Sequence, residues 1–527
     1  MANSTRRYVV RYMETIKQGK TGDSIASLRP PSIPAMGVNG LWNVIEHAAQ
    51  QRSLLNFATL EGFERNHRKQ RALVVGVDIS ILLAAIQRLQ FSMGLADIFR
   101  IFFFKLAQWS RAPLVLIFVF DGFGRPLIKR GKQVLAQPQQ LVEGCKAAIE
   151  AFGYYHHQAP GEAEAELAQM NKLGFIDAVI TEDSDTFVYG AVCVIRKLGP
   201  NIETNAQIFS STRLTSAPFH LDEDGLLLFV LLTGGDYDDG VRGCGANIAH
   251  PLAKCGFGRE LRHILVSFAG DQRSQELALW RDRLRAELRT NSSNLLQRKQ
   301  PRLAASIMDT FPSSRVIDLY INPYTSWSFN FIGRAPQGED WVPREPDIRA
   351  LVAFAKDRLN WSGEELVKRF PTVVWPGVGF RMISSRFVMY SAPLQKFMTP
   401  YTNAHLVKLV QSSRSGLDDG RPSMQRDRIR ISTENFQRIG QITSPTENES
   451  ILLTVPHSIL AIATNLAMQA ISSNDIVEII DSDEDSDSEE EDCDYDEEGQ
   501  TASVGGEETM VTDDAGAREI IDLTESD

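Results

Sequence analysis

The chain has 527 residues, 43% of them apolar and 23% charged, which is enough for two to four domains with substantial cores. Its longest apolar runs, 114–120 and 226–232, fall far short of the ~20 residues of a membrane-spanning helix, so we expect no membrane partner. The five cysteines show neither C-x-x-C nor Cys/His ligand spacing, which indicates a reducing compartment and argues against a structural zinc site.

Charge is unevenly distributed behind the net value of −12. Residues 475–527 hold 23 acidic residues and one basic residue, Arg518, a net charge of −22. Of the 67 acidic and 55 basic residues in the whole chain, 44 and 54 therefore lie in 1–474, a net charge of +10. A basic body with an acidic tail is compatible with a polyanionic partner for the body.

Residues 1–35 are polar and irregular, and they predict either a disordered extension or a true start at Met36. From residue 73 the pattern alternates between apolar strands and helices, with a helix predicted over 95–110. Four strands are predicted, at 74–80, 113–122, 177–183 and 192–198. The fold class is therefore α/β, with a mostly parallel central sheet flanked by helices and with ligands gathering at the carboxyl ends of the strands.

The later part of the chain is predicted to be more helical. Residues 226–258 read as helix, glycine-rich turn and helix, where Pro251 fits only a first turn and predicts a kinked or late second helix. Amphipathic helices are predicted over 270–295 and 346–370. Residues 373–465 lean towards β structure, with possible strands at 386–390, 428–432 and 451–455.

Acidic residues crowd at the ends of the predicted elements, above all in 159–187. Seven of them follow a strand or begin a helix: Asp78, Asp121, Glu162, Glu164, Asp183, Asp185 and Asp236. Any one alone would more often be a helix cap or a turn residue. Seven at one sheet edge repel one another unless cations bind, and two Mg²⁺ about 3.5–4 Å apart would suit phosphodiester hydrolysis. Glu166 is either an outer neighbour of this set or a surface charge.

Six segments then occur in order: MGVNGLW (36–42), VDIS (77–80), FVFDG (118–122), APGEAEAELA (159–168), ITEDSDTF (180–187) and LTGGDY…GVRGCG (232–245). Together they resemble the motif series of the XPG family of structure-selective nucleases, over about 36–258. The resemblance implies a PIN-like nuclease core in which the same seven acidic residues are catalytic and bind two Mg²⁺, with Mn²⁺ as a substitute. In the first motif, Leu41 and Trp42 are predicted to pack in the core rather than to wedge against stacked bases.

Two sets of residues are candidates for binding DNA. Gly240, Gly243 and Gly245 allow backbone N–H groups to approach a phosphate, and they resemble the family's helix–two-turn–helix, which holds duplex DNA and usually a K⁺ ion. The resemblance also places Gly37 close to DNA. The basic residues that follow Asp121 are predicted to hold phosphates, although an ordinary basic surface helix is the alternative: Arg125, Lys129, Arg130 and Lys132.

The short spacing between Asp121 and Glu162 leaves room for continuous strands rather than a threaded 5′ end. By similarity this favours the Holliday junction resolvase branch (GEN/Yen type, as in fungi) over 5′-flap endonucleases. A chromodomain commonly follows the core in that branch, and 373–465 occupies its place without a convincing aromatic cage.

Two aliphatic islands interrupt the acidic tail, which is predicted to be disordered. They comprise Ile476, Val477, Ile479 and Ile480, and then Ile520, Ile521 and Leu523. Both resemble SUMO-interacting motifs, which add a strand to a partner's sheet. Chance aliphatics in a solubilising tail are the alternative, and the tail could also compete with DNA for the basic body.

Five parts are expected in all: extension 1–35, nuclease core 36–225, helix–two-turn–helix and helical extension 226–372, chromodomain-like region 373–465 and acidic tail 466–527. The expected function is a nuclear, Mg²⁺-dependent endonuclease that resolves Holliday junctions as a dimer assembled on the DNA. A 5′-flap endonuclease and a non-catalytic junction-binding scaffold remain alternatives.

Overall fold

The computed structural model describes residues 37–66, 71–80, 82–83, 94–134, 137–384, 389–391, 396–398, 409–415, 424–442 and 450–461. The predicted extension and the acidic tail, including both aliphatic islands, lie outside these residues. Within the described part of the chain, no helix is both long enough and apolar enough to cross a bilayer.

A seven-stranded mixed sheet forms the centre of the molecule. Its strands are β1 (Gln50–Ser53), β2 (Leu73–Asp78), β3 (Leu114–Phe120), β6 (Tyr155–Gln158), β7 (Ala178–Ile180), β8 (Cys193–Arg196) and β9 (Asn205–Ser210). They are ordered β1-β9-β8-β7-β2-β3-β6. The five strands from β8 to β6 are parallel, whereas β9 and β1 run antiparallel to their neighbours, which confirms the predicted mostly parallel sheet.

The two central strands explain why the sheet forms where it does. Every residue of β2 and β3 is buried, because helices cover both faces of a parallel sheet and the strands are then apolar throughout. Leu116 and Phe118 face a cluster with aromatic residues of the helix Leu95–Trp109, whereas Ile117 and Val119 face the helix Ala163–Lys172 on the other side.

The helices between and after the strands carry labels in chain order. They are α1 (Leu41–Ile45), α2 (Leu54–Phe57), α3 (Leu95–Trp109), α4 (Gln139–Ala151), α5 (Ala163–Lys172), α6 (Asp185–Val188), α7 (Ser211–Thr215), α8 (Glu223–Thr233), α9 (Ala246–Lys254), α10 (Phe257–Ser267), α11 (Gly270–Thr290), α12 (Pro301–Ser306), α13 (Ser314–Ile321), α14 (Ile348–Leu359), α15 (Gly363–Val373), α16 (Trp375–Ser384) and α17 (Glu434–Gly440). A π-helical segment, Ala58–Glu64, and two 3₁₀ turns, Glu46–Ala48 and Gly338–Asp340, complete the helical elements.

The helix predicted over 346–370 is two helices, α14 and α15. Asn360 ends α14 in the left-handed conformation at φ 56°. The N–H of Glu365 then donates to the Ser362 hydroxyl, and the N–H of Ser362 donates to the Glu365 carboxylate. This capping box starts α15.

Pro251 lies inside its helix and not in the first turn, where the sequence led us to expect it. Helix α9 begins at Ala246, so Pro251 is its sixth residue and the helix does not start late. The missing Pro N–H leaves the carbonyl of Asn247 without its usual donor, and Asn247 is exposed, where water can replace that donor.

Small sheets complete the described chain. One is the hairpin of β4 (Ile128–Lys129) and β5 (Lys132–Gln133), and another pairs β10 (Met389–Ser391) with β11 (Lys396–Met398). The third contains β12 (Leu409–Ser415), β13 (Arg426–Ser432) and β14 (Ser450–Pro456), which confirms the strands predicted at 428–432 and 451–455. The segment 386–390 is described as strand only from Met389.

Candidate active site

The carboxyl ends of β2 and β3 place two predicted site residues side by side. Asp78 is the last residue of β2, and Asp121 directly follows β3. Ser80 joins them, because its N–H donates to Asp78 Oδ1 at 2.9 Å and its hydroxyl donates to Asp121 Oδ2 at 2.8 Å. The N–H of Ala163 donates to Asp121 Oδ1 at 2.9 Å, which fixes Asp121 against the start of α5.

Three other acidic residues meet closely enough to share a cation. Glu164 lies in the first turn of α5, Asp185 begins α6 beyond β7, and Asp236 follows α8. One carboxylate oxygen from each of the three lies within 4.8 Å of the others, and all three side chains are buried. Three distant segments of the chain therefore bring these carboxylates together near the carboxyl ends of the parallel strands, as the sequence predicted.

The remaining two predicted ligands border this cluster. Glu162 is the N-cap residue of α5 and is 6% exposed. Asp183 Oδ1 accepts a hydrogen bond from the N–H of Asp185 at 2.9 Å. Burial raises the pKa of Glu164 and of Asp185 well above its usual value, and the charge of Asp183 raises both further. Charged carboxylates are therefore costly here without a cation.

A divalent cation fits these residues. Asp185 Oδ1 is buried and has no hydrogen-bond partner in the part of the chain that the structure describes. It belongs to the cluster with Glu164 and Asp236, whose oxygen atoms are the hard donors that Mg²⁺ and Mn²⁺ prefer. An unpaired buried oxygen of this kind is explained by a metal ligand more readily than by a fold requirement.

Lys129 enters the same cluster from the hairpin β4–β5. Its ammonium group contacts Glu162, lies 2.7 Å from Glu164 Oε1 and lies 3.2 Å from Asp236 Oδ2. Burial alone would lower the pKa of Lys129, but Glu164, Glu162 and Asp236 raise it well above its usual value. The lysine is therefore charged and neutralises part of the carboxylate cluster.

The other predicted basic residues lie around Lys129 on the same loop. Arg130 donates through Nε to Asp236 Oδ1 at 2.9 Å and also contacts the carbonyl oxygen of Gly37. Arg125 pairs with Asp121 at 3.0 Å. Lys132 begins the returning strand β5, where the structure describes its backbone alone. The alternative of a basic surface helix was wrong, because the left-handed residues Arg130 and Gly131 turn the chain back as a hairpin.

Three tyrosines complete the cluster, and sequence reasoning missed them. The hydroxyl of Tyr237 contacts Glu162 and the hydroxyl of Tyr189, and the Tyr320 hydroxyl donates to Asp185 Oδ2 at 3.2 Å. Burial first and nearby carboxylates second raise the pKa of all three, so they stay protonated and donate. Tyr237 lies within the motif at 232–245 and Tyr189 lies two residues beyond the motif at 180–187, whereas Tyr320 is far from any recognised motif.

Glu166 has a separate role. It is fully buried, its Oε1 lies 2.8 Å from His157 Nε2, and its Oε2 accepts from the N–H of Ser326 at 2.9 Å. The surface-charge alternative was therefore wrong. Glu166 is a neighbour that ties strand β6 and the loop at 323–328 to helix α5.

The glycine-rich segments and the first motif lie beside this site. Gly37 has φ +81°, and a Cβ there would collide with Asp183 and Ser184, so no other residue fits this contact. Gly240 and Gly243 also have positive φ, and the surroundings of Gly243 and Gly245 are open at the start of α9. Leu41 and Trp42 are buried, 0% and 6% exposed, as the core prediction expected.

The amino-acid sequence matches a family model and several known proteins. Residues 153–236 match the family model of the XPG I-region. Flap endonuclease GEN-like 1 of Arabidopsis thaliana is 31% identical over 241 residues, which cover 41% of this chain and 38% of that protein. Flap endonuclease GEN homolog 1 of Homo sapiens is 28% identical over 251 residues, 43% of this chain and 26% of that protein. The matched part thus spans well under half of each relative.

Solved structures match over a longer stretch. A Holliday junction-resolving enzyme GEN1, in complex with product DNA and Mg²⁺, superposes with a TM-score of 0.63 at 24% identity and covers 82% of this chain and 98% of that one. A eukaryotic junction-resolving enzyme GEN-1 binding potassium matches with a TM-score of 0.61 at 25% identity, over 83% of this chain and 99% of that one. The chain has the fold of these nucleases.

Proposed function

We propose that the chain is a Mg²⁺-dependent, structure-selective endonuclease that hydrolyses phosphodiesters in branched DNA. The proposal is supported by its XPG I-region and by its fold, which is that of junction-resolving nucleases. The observation that carries the proposal is the buried cluster of Glu164, Asp185 and Asp236, in which Asp185 Oδ1 lacks a partner among the described residues. A protein that only binds DNA has no need of such a cluster.

The metal ligands are assigned from the geometry of the carboxylates. Glu164, Asp185 and Asp236 would hold one Mg²⁺ with the help of Glu162 and Asp183 at their border. A second ion would be held at the strand ends by the pair Asp78 and Asp121, with Mn²⁺ as a substitute in either place. The ions supply the Lewis acidity that phosphodiester hydrolysis requires.

The chain's own cations and hydroxyls orient the substrate at this site. Lys129 is charged and reaches the carboxylate cluster, so its ammonium group can bind an oxygen of the phosphate that enters. Arg130 and Arg125 provide further positive charge on the same loop. Tyr320, which stays protonated, holds Asp185 in place through a hydrogen bond.

The short hairpin favours four-way junctions as substrates. Strands β4 and β5 have two residues each, so the described loop after Asp121 forms no long arch through which a free 5′ end would thread. Continuous DNA strands can therefore reach the carboxylates. Part of the proposal is that two copies assemble on one junction in the nucleus, and that K⁺ binds at the glycine-rich turn before α9. The alternative of a 5′-flap endonuclease has support in the names of the relatives.

Binding of SUMO through the two aliphatic islands of the tail is also part of the proposal, and it rests on their sequence alone. A peptide of residues 474–527 with Ile479→Ala and Ile521→Ala should lose binding to SUMO relative to the unchanged peptide. Equal binding of the two peptides would remove this part and leave the nuclease assignment intact.

The experiment that tests the nuclease compares cleavage of an intact four-way junction and a 5′ flap by the purified full chain. We expect Mg²⁺-dependent, paired symmetric nicks in the junction. Asp185→Asn should lower cleavage by more than about 100-fold, beyond what an outer-sphere partner of a metal ligand contributes, while junction binding is retained. Asp357→Asn, an exposed acidic residue of α14, is the matched control and should cleave normally. Full activity of Asp185→Asn would contradict the assignment.

A further inference from the structure

Phe123 is a large apolar side chain in full contact with solvent, two residues beyond Asp121. Leu127 and Ile128 on the same loop are 71% and 63% exposed. Single exposed apolar residues need no explanation, but three of them on one loop that also carries residues of the carboxylate site call for one.

The backbone that carries Phe123 is held rigidly. The N–H of Gly122 donates to the carbonyl of Gly161 at 2.7 Å, and the N–H of Gly124 donates to the carbonyl of Pro160 at 2.9 Å. A Cβ on Gly122 would collide with backbone atoms of the same segment, so the two stretches are in direct contact. The backbone of Phe123 is therefore held in place beside Asp121, and its ring extends from there into solvent.

Basic residues follow Phe123 on the same loop. Arg125 lies two residues further on and is paired with Asp121, and Lys129 and Arg130 follow on the hairpin. Binding sites for unpaired nucleic acid combine a positively charged rim with aromatic rings on which bases stack. The Cα atoms of Phe123 and Asp121 are at most about 7.6 Å apart, so the ring can reach a nucleotide next to a phosphate bound at Asp121.

We propose that Phe123 stacks on a base of the substrate strand next to the phosphate that is cut, and so holds that base in register with the carboxylate site. This inference rests on the proposed function and adds a contact to a base, where the carboxylates and cations contact only the phosphate. Stacking of this kind accepts any base, because each base has a π face.

The test places 2-aminopurine at each nucleotide that flanks the cut of a four-way junction, with Ca²⁺ in place of Mg²⁺ so that the DNA stays intact. Wild-type protein should change the fluorescence at one of these positions, and Phe123→Ala should abolish that change and weaken binding about 5- to 100-fold. Phe123→Trp should restore both, since it keeps an aromatic face. Val266→Ala, which removes another exposed apolar side chain, on α10, should behave as wild type.

Four other outcomes would overturn the stacking contact, the proposed function or both. Unchanged fluorescence and affinity in Phe123→Ala, with normal cleavage by the wild-type chain, overturn the stacking contact alone. A loss of the second protomer from the junction, without a change in fluorescence, overturns it too, because Phe123 would then face a protein copy. A fluorescence change that depends on Phe123 in a chain that cleaves no branched DNA keeps the contact and overturns the proposed function. Absence of any DNA binding overturns both.

Discussion

Asp185 is fully buried between other carboxylates, and one of its oxygens has no hydrogen-bond partner among the described residues. Burial and the charge of Asp183 raise its pKa, so ionisation of Asp185 costs more free energy in the folded, metal-free protein than in the unfolded chain. The resulting loss of folding stability is absent below the unfolded pKa of about 4. It grows as pH rises towards the raised folded pKa and is complete above that pKa.

We therefore predict that Asp185→Asn stabilises the metal-free protein at pH 8 by about 1 to 2 kcal/mol, the usual gain when a strained functional residue is replaced. Its Tm in EDTA should exceed that of wild type by a few degrees, and the difference should shrink towards pH 5. Added Mg²⁺ should raise the Tm of the wild type more than that of the variant. Asp357→Asn should change neither value, and a Tm difference that is independent of pH would contradict the explanation.

Lys105 in α3 is a second titratable residue held away from water. Burial lowers its pKa from 10.5 to about 8, although part of the side chain stays exposed. Among the described residues, its ammonium group has a 3.5 Å contact with the carbonyl of Gly199 and lies 5.2 Å from the centre of the Trp109 ring. Protonated Lys105 therefore destabilises the fold below pH 8, and the penalty disappears as pH rises to about 10.5.

Lys105→Met should raise the stability at pH 7 by about 1 to 2 kcal/mol, after allowance for the partial exposure and for the lost contact with Trp109. Urea unfolding at pH 7 and at pH 10 measures this, and the advantage of the variant should be largely gone at pH 10. A variant less stable than wild type at pH 7 would mean that the contact with Trp109 outweighs the burial.

At the scale of elements, two adjacent histidines of β6 offer a matched comparison. His157 pairs with Glu166, which is fully buried, and His156 pairs with Glu150, whose side chain is 64% exposed, both at 2.8 Å. Glu166 also accepts from the N–H of Ser326, so it connects three elements where Glu150 connects two.

Glu166→Ala should lower stability by about 2 to 3 kcal/mol, because it leaves the ring of His157 and the N–H of Ser326 without an acceptor. Glu150→Ala should change stability by less than about 1 kcal/mol, as expected for an exposed pair. Hydrogen exchange should quicken at residues 324–331 in the Glu166 variant alone. Equal exchange in the two variants would show that Ser326 is held by other contacts.

The elements also explain what the sequence could predict. Strands β2 and β3 are buried on both faces, so their apolar runs were recognisable. Strands β1 (QQRS) and β6 (YHHQ) are the polar edges of the sheet and carry no such run. The acidic residues were found because strand ends converge, whereas the tyrosines that contact Glu162 and Asp185 come from three separate segments that only tertiary packing brings together.

On the scale of the whole molecule, the described residues within 375–461 share a hydrophobic core with the central sheet. Ile431 of β13 and Val455 of β14 share one hydrophobic cluster with Phe103 of α3 and Phe118 of β3. Arg381 is buried and donates to the carbonyl of Leu114 at 3.2 Å, at the start of β3. These contacts tie the C-terminal sheet to the element that positions Asp121.

Charge divides the chain at nearly the same point as its two compact units. The separate unit 474–527 carries a net charge of −22, against +10 for the residues before it. A polyanionic segment on the same chain acts at a high effective concentration, so we expect it to compete with DNA for the basic residues of the body most strongly when salt is low. Because this competition needs no specific contact, it requires the charge of the tail and not its sequence.

Removal of 474–527 should therefore tighten binding of a four-way junction about tenfold or more at 50 mM salt, with the difference shrinking towards 300 mM as screening increases. Replacing the same residues with an uncharged Gly/Ser segment of equal length should have the same effect, whereas a scrambled tail of unchanged composition should bind as wild type. Thermal unfolding in parallel should give equal Tm values, because every described residue of the site lies before residue 474. An equal Kd for the full and the shortened chain at 50 mM salt would mean that the tail stays clear of the DNA surface.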